Sequence, residues 1–331
     1  LYPAHIPIVE NALQKGWVNL PVVETKYYQC RKGWTEATKR NEQLVKEGKL
    51  KVGPNNELIG PWKGGLPFPH PRTAAQLMWN TYRSCNVEDD FKVNFPDIPL
   101  YNKEGKRERT VKWWLLKKWW VGRHDDPPIP EMPGNNGVLN SKESTILYYP
   151  FDIKGYCFLR VRYEDVTKDD EVYAYLPALR RVRRLTGNDL CDPVAGSDWI
   201  YDDFQCMRQK INPKMTFKIL KKRNALLPRT YEYPKEFNIP WFKKVEGNLM
   251  PVEWCIRPVY FLEVTENDPS YAYSKRIVYV EATEITGDML GGQFFDQKGR
   301  LWRNHGPCTP AINVKTNYRG SWCAVPILDM L

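Results

Sequence analysis

Four arginines stand within one short run, Arg180, Arg181, Arg183 and Arg184, and Asp192, Asp198, Asp202 and Asp203 follow closely. Guanidinium groups stay charged in any surroundings and grip carboxylates or phosphates through paired hydrogen bonds. Closely spaced carboxylates offer the hard oxygens that calcium takes. The segment can therefore pair with itself, hold an anionic ligand or lipid headgroup, or hold a metal ion. The acidic spacing does not match an EF-hand loop. Ion pairing is the simpler reading, with Arg180, Arg181, Arg183 and Arg184 set against Asp198, Asp202 and Asp203 as a structural cluster. On that reading Arg183→Ala harms folding more than binding, because breaking a buried pair costs about 3–5 kcal/mol.

Other chemistry is thinly signalled. His124-Asp125-Asp126 has metal-ligand residue types, but it precedes Pro127-Pro128 and reads as a solvated loop. His5, His70 and His305 have no second histidine at ligand spacing. The nucleophile elbow, the zinc-protease helix, the phosphate loop and the dinucleotide fingerprint are all missing from the sequence. Gly64-Gly65 and Gly291-Gly292 suit turns or bulges better than phosphate cradles. No cofactor is expected.

The eight cysteines include no CxxC pair, which removes the warrant for a zinc ribbon or a thioredoxin motif. Cys191–Cys206 and Cys308–Cys323 each flank a Pro- or Gly-containing loop and are candidate local disulfides. A net charge of +10 fits nucleic acid, anionic lipid or a solvated basic surface. The densest basic run outside the arginine block is Lys214, Lys218, Lys221, Lys222 and Arg223. No apolar run is long enough for a membrane-spanning helix. The first residues show neither the charged nor the apolar region of a signal peptide.

The elements that must carry these residues are mostly strands. The 27 prolines and 19 tyrosines favour short strands and ordered loops over long helices. Two helices are expected, over residues 36–49 with Gly48 as the stop, and over 73–84 with Thr73 as the cap. Residues 60–72 form a Pro/Gly loop between them. The paired tryptophans of residues 112–120 fit neither period cleanly, and their β propensity favours a strand. Residues 124–143 read as a loop. Residues 156–163 alternate, with Cys157, Leu159, Val161 and Tyr163 on one face and Arg160 and Arg162 on the other, as in a half-buried strand. A polar turn at 166–170 leads into a returning strand at 172–176. Further strands are expected at 257–264, 276–281, 289–295 and 300–303. From residue 144 onward the chain thus reads as an antiparallel meander, interrupted at 187–213 and 223–255.

Four stretches carry a family resemblance. They are residues 65–80 (GLPFPHPRTAAQLMWN), 175–185 (YLPALRRVRRL) with 192–204 (DPVAGSDWIYDDF), 268–285 (DPSYAYSKRIVYVEATEI) and 294–303 (FFDQKGRLWR). Together they resemble the domain of unknown function 1329 (DUF1329) family, related to the LolA/LolB-like outer-membrane lipoprotein carriers and receptors. The resemblance covers roughly residues 60–305. It implies an α+β, mainly antiparallel β fold: one large curved sheet, a half-barrel, with helices on its concave side. Domain organisation would be an N-terminal extension over residues 1–60 and a sheet domain over 61–331. It implies an exported protein, periplasmic or associated with the outer membrane, that binds a lipid or other hydrophobic molecule. No catalysis, nucleic acid or membrane span is implied, and an outer-membrane or transporter protein would be the partner. Leu77, Trp79, Tyr148, Phe158, Tyr175 and Phe261 are then the candidate cavity wall, with Lys214–Arg223 near its mouth. The cysteines depart from the family pattern and suit an oxidising compartment. Rival readings are an envelope interaction module, an enzyme on a hydrophobic substrate, and a nucleic-acid binder.

Overall fold

The computed structural model describes residues 23–25, 30–84, 89–102, 106–186, 191–193, 199–203, 209–228, 231–233, 253–283, 287–305, 309–313, 318–324 and 327–329. Among them, α1 spans Lys32–Lys46 and ends before Gly48, whose φ of +69° lets the chain turn away. A small hairpin follows, β1 (Lys51–Val52) with β2 (Leu58–Ile59). The Pro/Gly loop then lies against α1. Buried Asn41 donates to the carbonyls of Gly64 and Leu66, and the Thr38 hydroxyl accepts from the Leu66 amide. Gly65, at φ +71°, passes so close to α1 that a Cβ there would lie 2.5 Å from the Thr38 nitrogen.

Helix α2 (Ala74–Tyr82) starts with a capping box: Thr73 Oγ1 accepts from the Gln76 amide at 3.2 Å, and Gln76 Oε1 accepts from the Thr73 amide. Thr73→Ala is expected to cost about 1 kcal/mol, read as a lower denaturation midpoint at unchanged slope.

The first large sheet is a six-stranded antiparallel meander in chain order. Its strands are β3 (Asp90–Tyr101), β4 (Arg107–Trp119), β5 (Leu139–Tyr149), β6 (Cys157–Tyr163), β7 (Glu171–Leu176) and β8 (Arg181–Leu185). It starts earlier than the sequence suggests, since β3 lies in a stretch given no element and the first residues of β5 fall in the stretch read as a loop. Along β4 and the residue after it the tryptophan pairs resolve into strict alternation: Trp113 and Trp119 are buried while Trp114 and Trp120 are half-buried.

The second large sheet has the order β9-β11-β12-β13-β14-β17. Here β9 is Met215–Pro228, β10 is Tyr231–Tyr233, β11 is Trp254–Glu266, β12 is Lys275–Glu281, β13 is Met289–Phe295, and β14 is Leu301–His305. The last three are β15 (Thr309–Asn313), β16 (Tyr318–Ala324) and β17 (Ile327–Asp329). Strands β10, β15 and β16 make a separate three-stranded sheet. Residues 215–228, expected to be partly loop, form the long edge strand β9. Gly291, at φ +142°, sits where β12 and β13 shift register, so it serves a bulge.

The fold is therefore mainly antiparallel β with few helices, in open sheets rather than a closed barrel. Most of its strands are divided between two six-stranded sheets. Helix α2 packs on β9 and β11, and the main core lies there. Leu77, Met78, Trp79 and Tyr82 meet Leu262, Val264, Val278, Val280 and Phe294. A smaller core, Val111, Trp113, Leu115 and Leu147, lies on the inner face of the first sheet. No helix among the described residues is long and apolar enough to cross a membrane.

Candidate functional site

The two large sheets are joined by a short turn, Tyr201–Asp203, whose adjacent carboxylates take partners from different sheets. Asp202 accepts from Arg160 Nη2 of β6 at 2.8 Å and from the Tyr271 hydroxyl at 3.0 Å. Asp203 accepts from Arg303 Nη1 of β14 at 2.9 Å, from the Tyr273 hydroxyl at 2.7 Å and from the Ile200 amide at 3.0 Å. Asp203, Arg303 and Tyr273 are all buried. The polar layer continues along the first sheet. Arg162 donates two hydrogen bonds to Asp170, both 2.8 Å, and buried Arg83 reaches Glu164 at 2.6 Å. Burial would raise the Asp170 pKa, but Arg162 and Arg160 outweigh it and hold the carboxyl below its usual range.

This arrangement corrects the expected cluster. Asp202 and Asp203 pair with Arg160 and Arg303, not with the arginine block. Arg180 takes φ +49° at the end of a single 3₁₀ turn, and Arg181, Arg183 and Arg184 lie exposed on the edge strand β8. Among the described residues Arg180, Arg181 and Arg183 make no ion pair, and Arg184 lies 3.7 Å from Glu171. Asp198 lies outside the described residues. The physical reason is position: β8 ends the meander, so its side chains face solvent, whereas β6 and β14 face the junction. The alternation of β6 is also inverted, because Arg160 and Arg162 occupy its buried face and Leu159 is exposed.

His305 sits beside this junction, buried, with Nε2 3.5 Å from Asp203 Oδ1 and its ring 4.5 Å from Phe294. Burial, Arg303 and Arg276 push its pKa down to about 3, so it is neutral at pH 7. Burial pushes the Asp203 carboxyl up to about 6 against the pull of Arg303, so it is mostly ionised at pH 7. The two groups act oppositely on stability. The His305 contribution is full above its unfolded pKa of about 6.5 and is lost as pH falls through about 3. The Asp203 contribution is full below about 3.8 and is lost as pH rises through about 6. Asp203 thus offsets part of the acid sensitivity that His305 creates. His305→Gln is expected to flatten the melting temperature between pH 6.5 and 3 relative to the wild-type profile. An unchanged slope would remove His305 from the acid response.

A second polar knot holds residues 122–130. Asp89 Oδ2 accepts from three consecutive amides, His124, Asp125 and Asp126, at 2.8, 2.7 and 2.9 Å. Arg123 uses all its N–H directions: two bonds to Asp90 and one each to the carbonyls of Trp119, Asp126 and Pro128. His124 is part of this knot, with its ring 3.3 Å from Asp89 and from Asp125, rather than a solvated loop residue. Among the described residues no group of three or more His, Cys, Asp or Glu side chains is placed to hold a metal.

The six candidate wall residues do not line one space. Leu77 and Trp79 are buried together in the main core. Phe261 is buried on the opposite face of the second sheet, 5.0 Å from the Tyr279 ring, so the sheet separates it from them. Phe158 packs against the smaller core of the first sheet. Tyr148 bonds Asn94 at 2.7 Å on the outward face of that sheet, where Tyr175 is also exposed. Of the basic run, Lys214 pairs with Asp268 at 2.5 Å, and the other members lie along β9. Cys206 and Cys308 lie outside the described residues, and with them both candidate disulfides.

The family model for DUF1329, a protein of unknown function, matches residues 6–324. The chain belongs to the DUF1329 family. The resemblance carried by the arginine block, the GSD and YDDF segment and the flanking stretches therefore holds over nearly the whole chain. No curated protein matches it. Among solved structures, a domain described as an outer membrane lipoprotein-sorting protein from Vibrio parahaemolyticus is 21% identical, with 70% of this chain and 75% of that chain covered and a TM-score of 0.45. A DUF1329 family protein from Desulfovibrio piger is 18% identical, with 65% and 68% covered and a TM-score of 0.41. A LolA superfamily protein from Nitrosomonas europaea is 14% identical, with 71% and 77% covered and a TM-score of 0.41. For this DUF1329 member the YDDF segment has a concrete role, since its two aspartates link the two sheets.

Proposed function

We propose that this DUF1329 protein is a non-enzymatic carrier that binds a lipid or other hydrophobic molecule in the periplasm and exchanges it with an outer-membrane or transporter partner. The observation that carries the reading is the apolar interface between α2 and the second sheet. A helix of nine residues covers it, and half-buried Phe217, Ile219, Tyr260 and Trp302 fringe it. So short a helix is held by apolar packing more than by its own hydrogen bonds. An acyl chain entering between α2 and the sheet replaces one apolar contact with another, and each CH₂ it buries contributes about 0.8 kcal/mol. Leu77 and Trp79 remain the wall residues of this proposal.

Solvent extraction of the purified protein, followed by mass spectrometry, tests it. A stoichiometric lipid or hydrophobic metabolite is expected. An empty extract together with no uptake of fluorescent fatty acids or phospholipids would overturn the reading. The result would then favour an envelope interaction module, for which the exposed edge strand β8 is the specific observation.

A further inference from the structure

The register of the first sheet aligns an apolar row on its outward face. Trp114, Ile146, Cys157, Tyr175 and Val182 are direct cross-strand neighbours from β4 to β8. The next row on that face holds Leu116, Ser144, Leu159, Tyr173 and Arg184. At about 4.8 Å per strand the rows run for roughly 19 Å. Ile146, Leu159, Tyr175 and Val182 are exposed, Val182 by 64%. Phe151, in the turn that follows β5, is exposed by 89%. Contiguous apolar exposure of this kind marks an interaction surface.

Charge defines the partner. Lys92, Lys112 and Lys142 lie on the same face, each with its ammonium over an aromatic ring: Trp114 at 4.6 Å, Tyr149 at 5.1 Å and Trp120 at 4.8 Å. Among the described residues none of the three has a carboxylate within ion-pair distance. Ammonium groups held over aromatic rings without a carboxylate remain able to meet anions, and Trp, Tyr and Lys are the residue types of a bilayer–water interface. A second copy meeting this face symmetrically would set lysine against lysine. Lysine heads are point charges without the fork that fixes a carboxylate in place, so they suit a diffuse negative surface better than a matched acidic protein. We propose that the outward face of the first sheet docks on an anionic lipid bilayer. Apolar side chains enter the headgroup region while the lysines meet lipid phosphates.

This surface lies apart from the α2 interface, so its test is independent of the carrier reading. Vesicle flotation of the full chain uses phosphatidylcholine with and without phosphatidylglycerol. Binding only to the anionic vesicles, weakened by salt, is expected. The combined variant Lys92→Glu, Lys112→Glu, Lys142→Glu is expected to lose about tenfold or more of that binding. Val182→Asp, at an exposed edge position, is expected to weaken it with an unchanged melting temperature. Equal binding to both vesicle types, no binding, or indifference of the folded variants would each overturn the proposal. So would a dimer in sedimentation that Val182→Asp dissolves, since the face would then be occupied by a second copy. A protein that yields lipid on extraction yet ignores vesicles refutes this inference alone. One that binds vesicles but extracts empty refutes only the carrier reading.

Discussion

Replacing Arg303 with Ala is expected to destabilise the protein by about 3–5 kcal/mol, because it strands the Asp203 carboxylate in a buried site. Arg303 lies 2.9 Å from Asp203 and 2.5 Å from the Tyr273 hydroxyl, so the substitution removes the one guanidinium that both oxygens share. The loss falls on the joint between the sheets, not within one of them. Chemical denaturation should show a lower midpoint, and a second transition should appear if the sheets then unfold separately. Asp203→Asn together with Arg303→Met removes the charge from both sides and should recover part of the loss. Arg183→Ala is the contrasting control. It sits exposed on β8 without an ion pair among the described residues, and its midpoint should stay near wild type. Equal effects of Arg303→Ala and Arg183→Ala would defeat the assignment of the junction to Arg303.

Arg123→Ala should be comparably severe, for a different reason: each buried acceptor that it leaves unpaired costs about 1–3 kcal/mol. Arg123 is fully buried, and its donors satisfy three backbone carbonyls as well as Asp90. Its removal leaves those acceptors without a partner, and buried acceptors left unpaired are costly. Burial would raise the Asp90 pKa, yet the hydrogen bonds and charge of Arg123 outweigh it and hold the carboxyl low. Asp90 thus contributes stability above its unfolded pKa that is lost as pH falls through the lower folded value. In the Arg123→Ala protein that acid step should shrink. Arg123→Lys should recover little, because an ammonium has too few donors, without the planar fork, to replace the guanidinium. Melting temperature against pH for the three proteins checks this, and full rescue by Lys would show that charge alone matters at the site.

Much of the secondary structure was legible in the residues. Thr73 and Gln76 announce the start of α2, and Gly48 announces the end of α1. The strand at Met289–Phe295 and the turn that follows it follow from alternation and turn residues. The candidate site was less legible. Arg160 and Arg162 alternate with apolar neighbours, and the ordinary expectation buries the apolar side. Here the arginines are inside, because Asp202 and Asp170 meet them there. Arg180–Arg184 is the most conspicuous charge block in the chain, yet it faces solvent because β8 has a neighbour on one side only. The six apolar wall candidates scatter for a related reason. Hydrophobicity marks a residue for burial or contact without saying against which face of which sheet.

Local chemistry thus settles what can be settled within a few residues: caps, turns, alternation, and the segments that mark the family. Pairing of distant charges follows another rule. Asp203 and Arg303 lie a hundred positions apart, and neither one's local sequence names the other. Only after β6 and β14 have been brought together does a buried carboxylate select its guanidinium, since charges leave water only where a partner waits. The folded sheets, rather than the charge blocks themselves, decide which arginines hold the protein together and which remain on its surface.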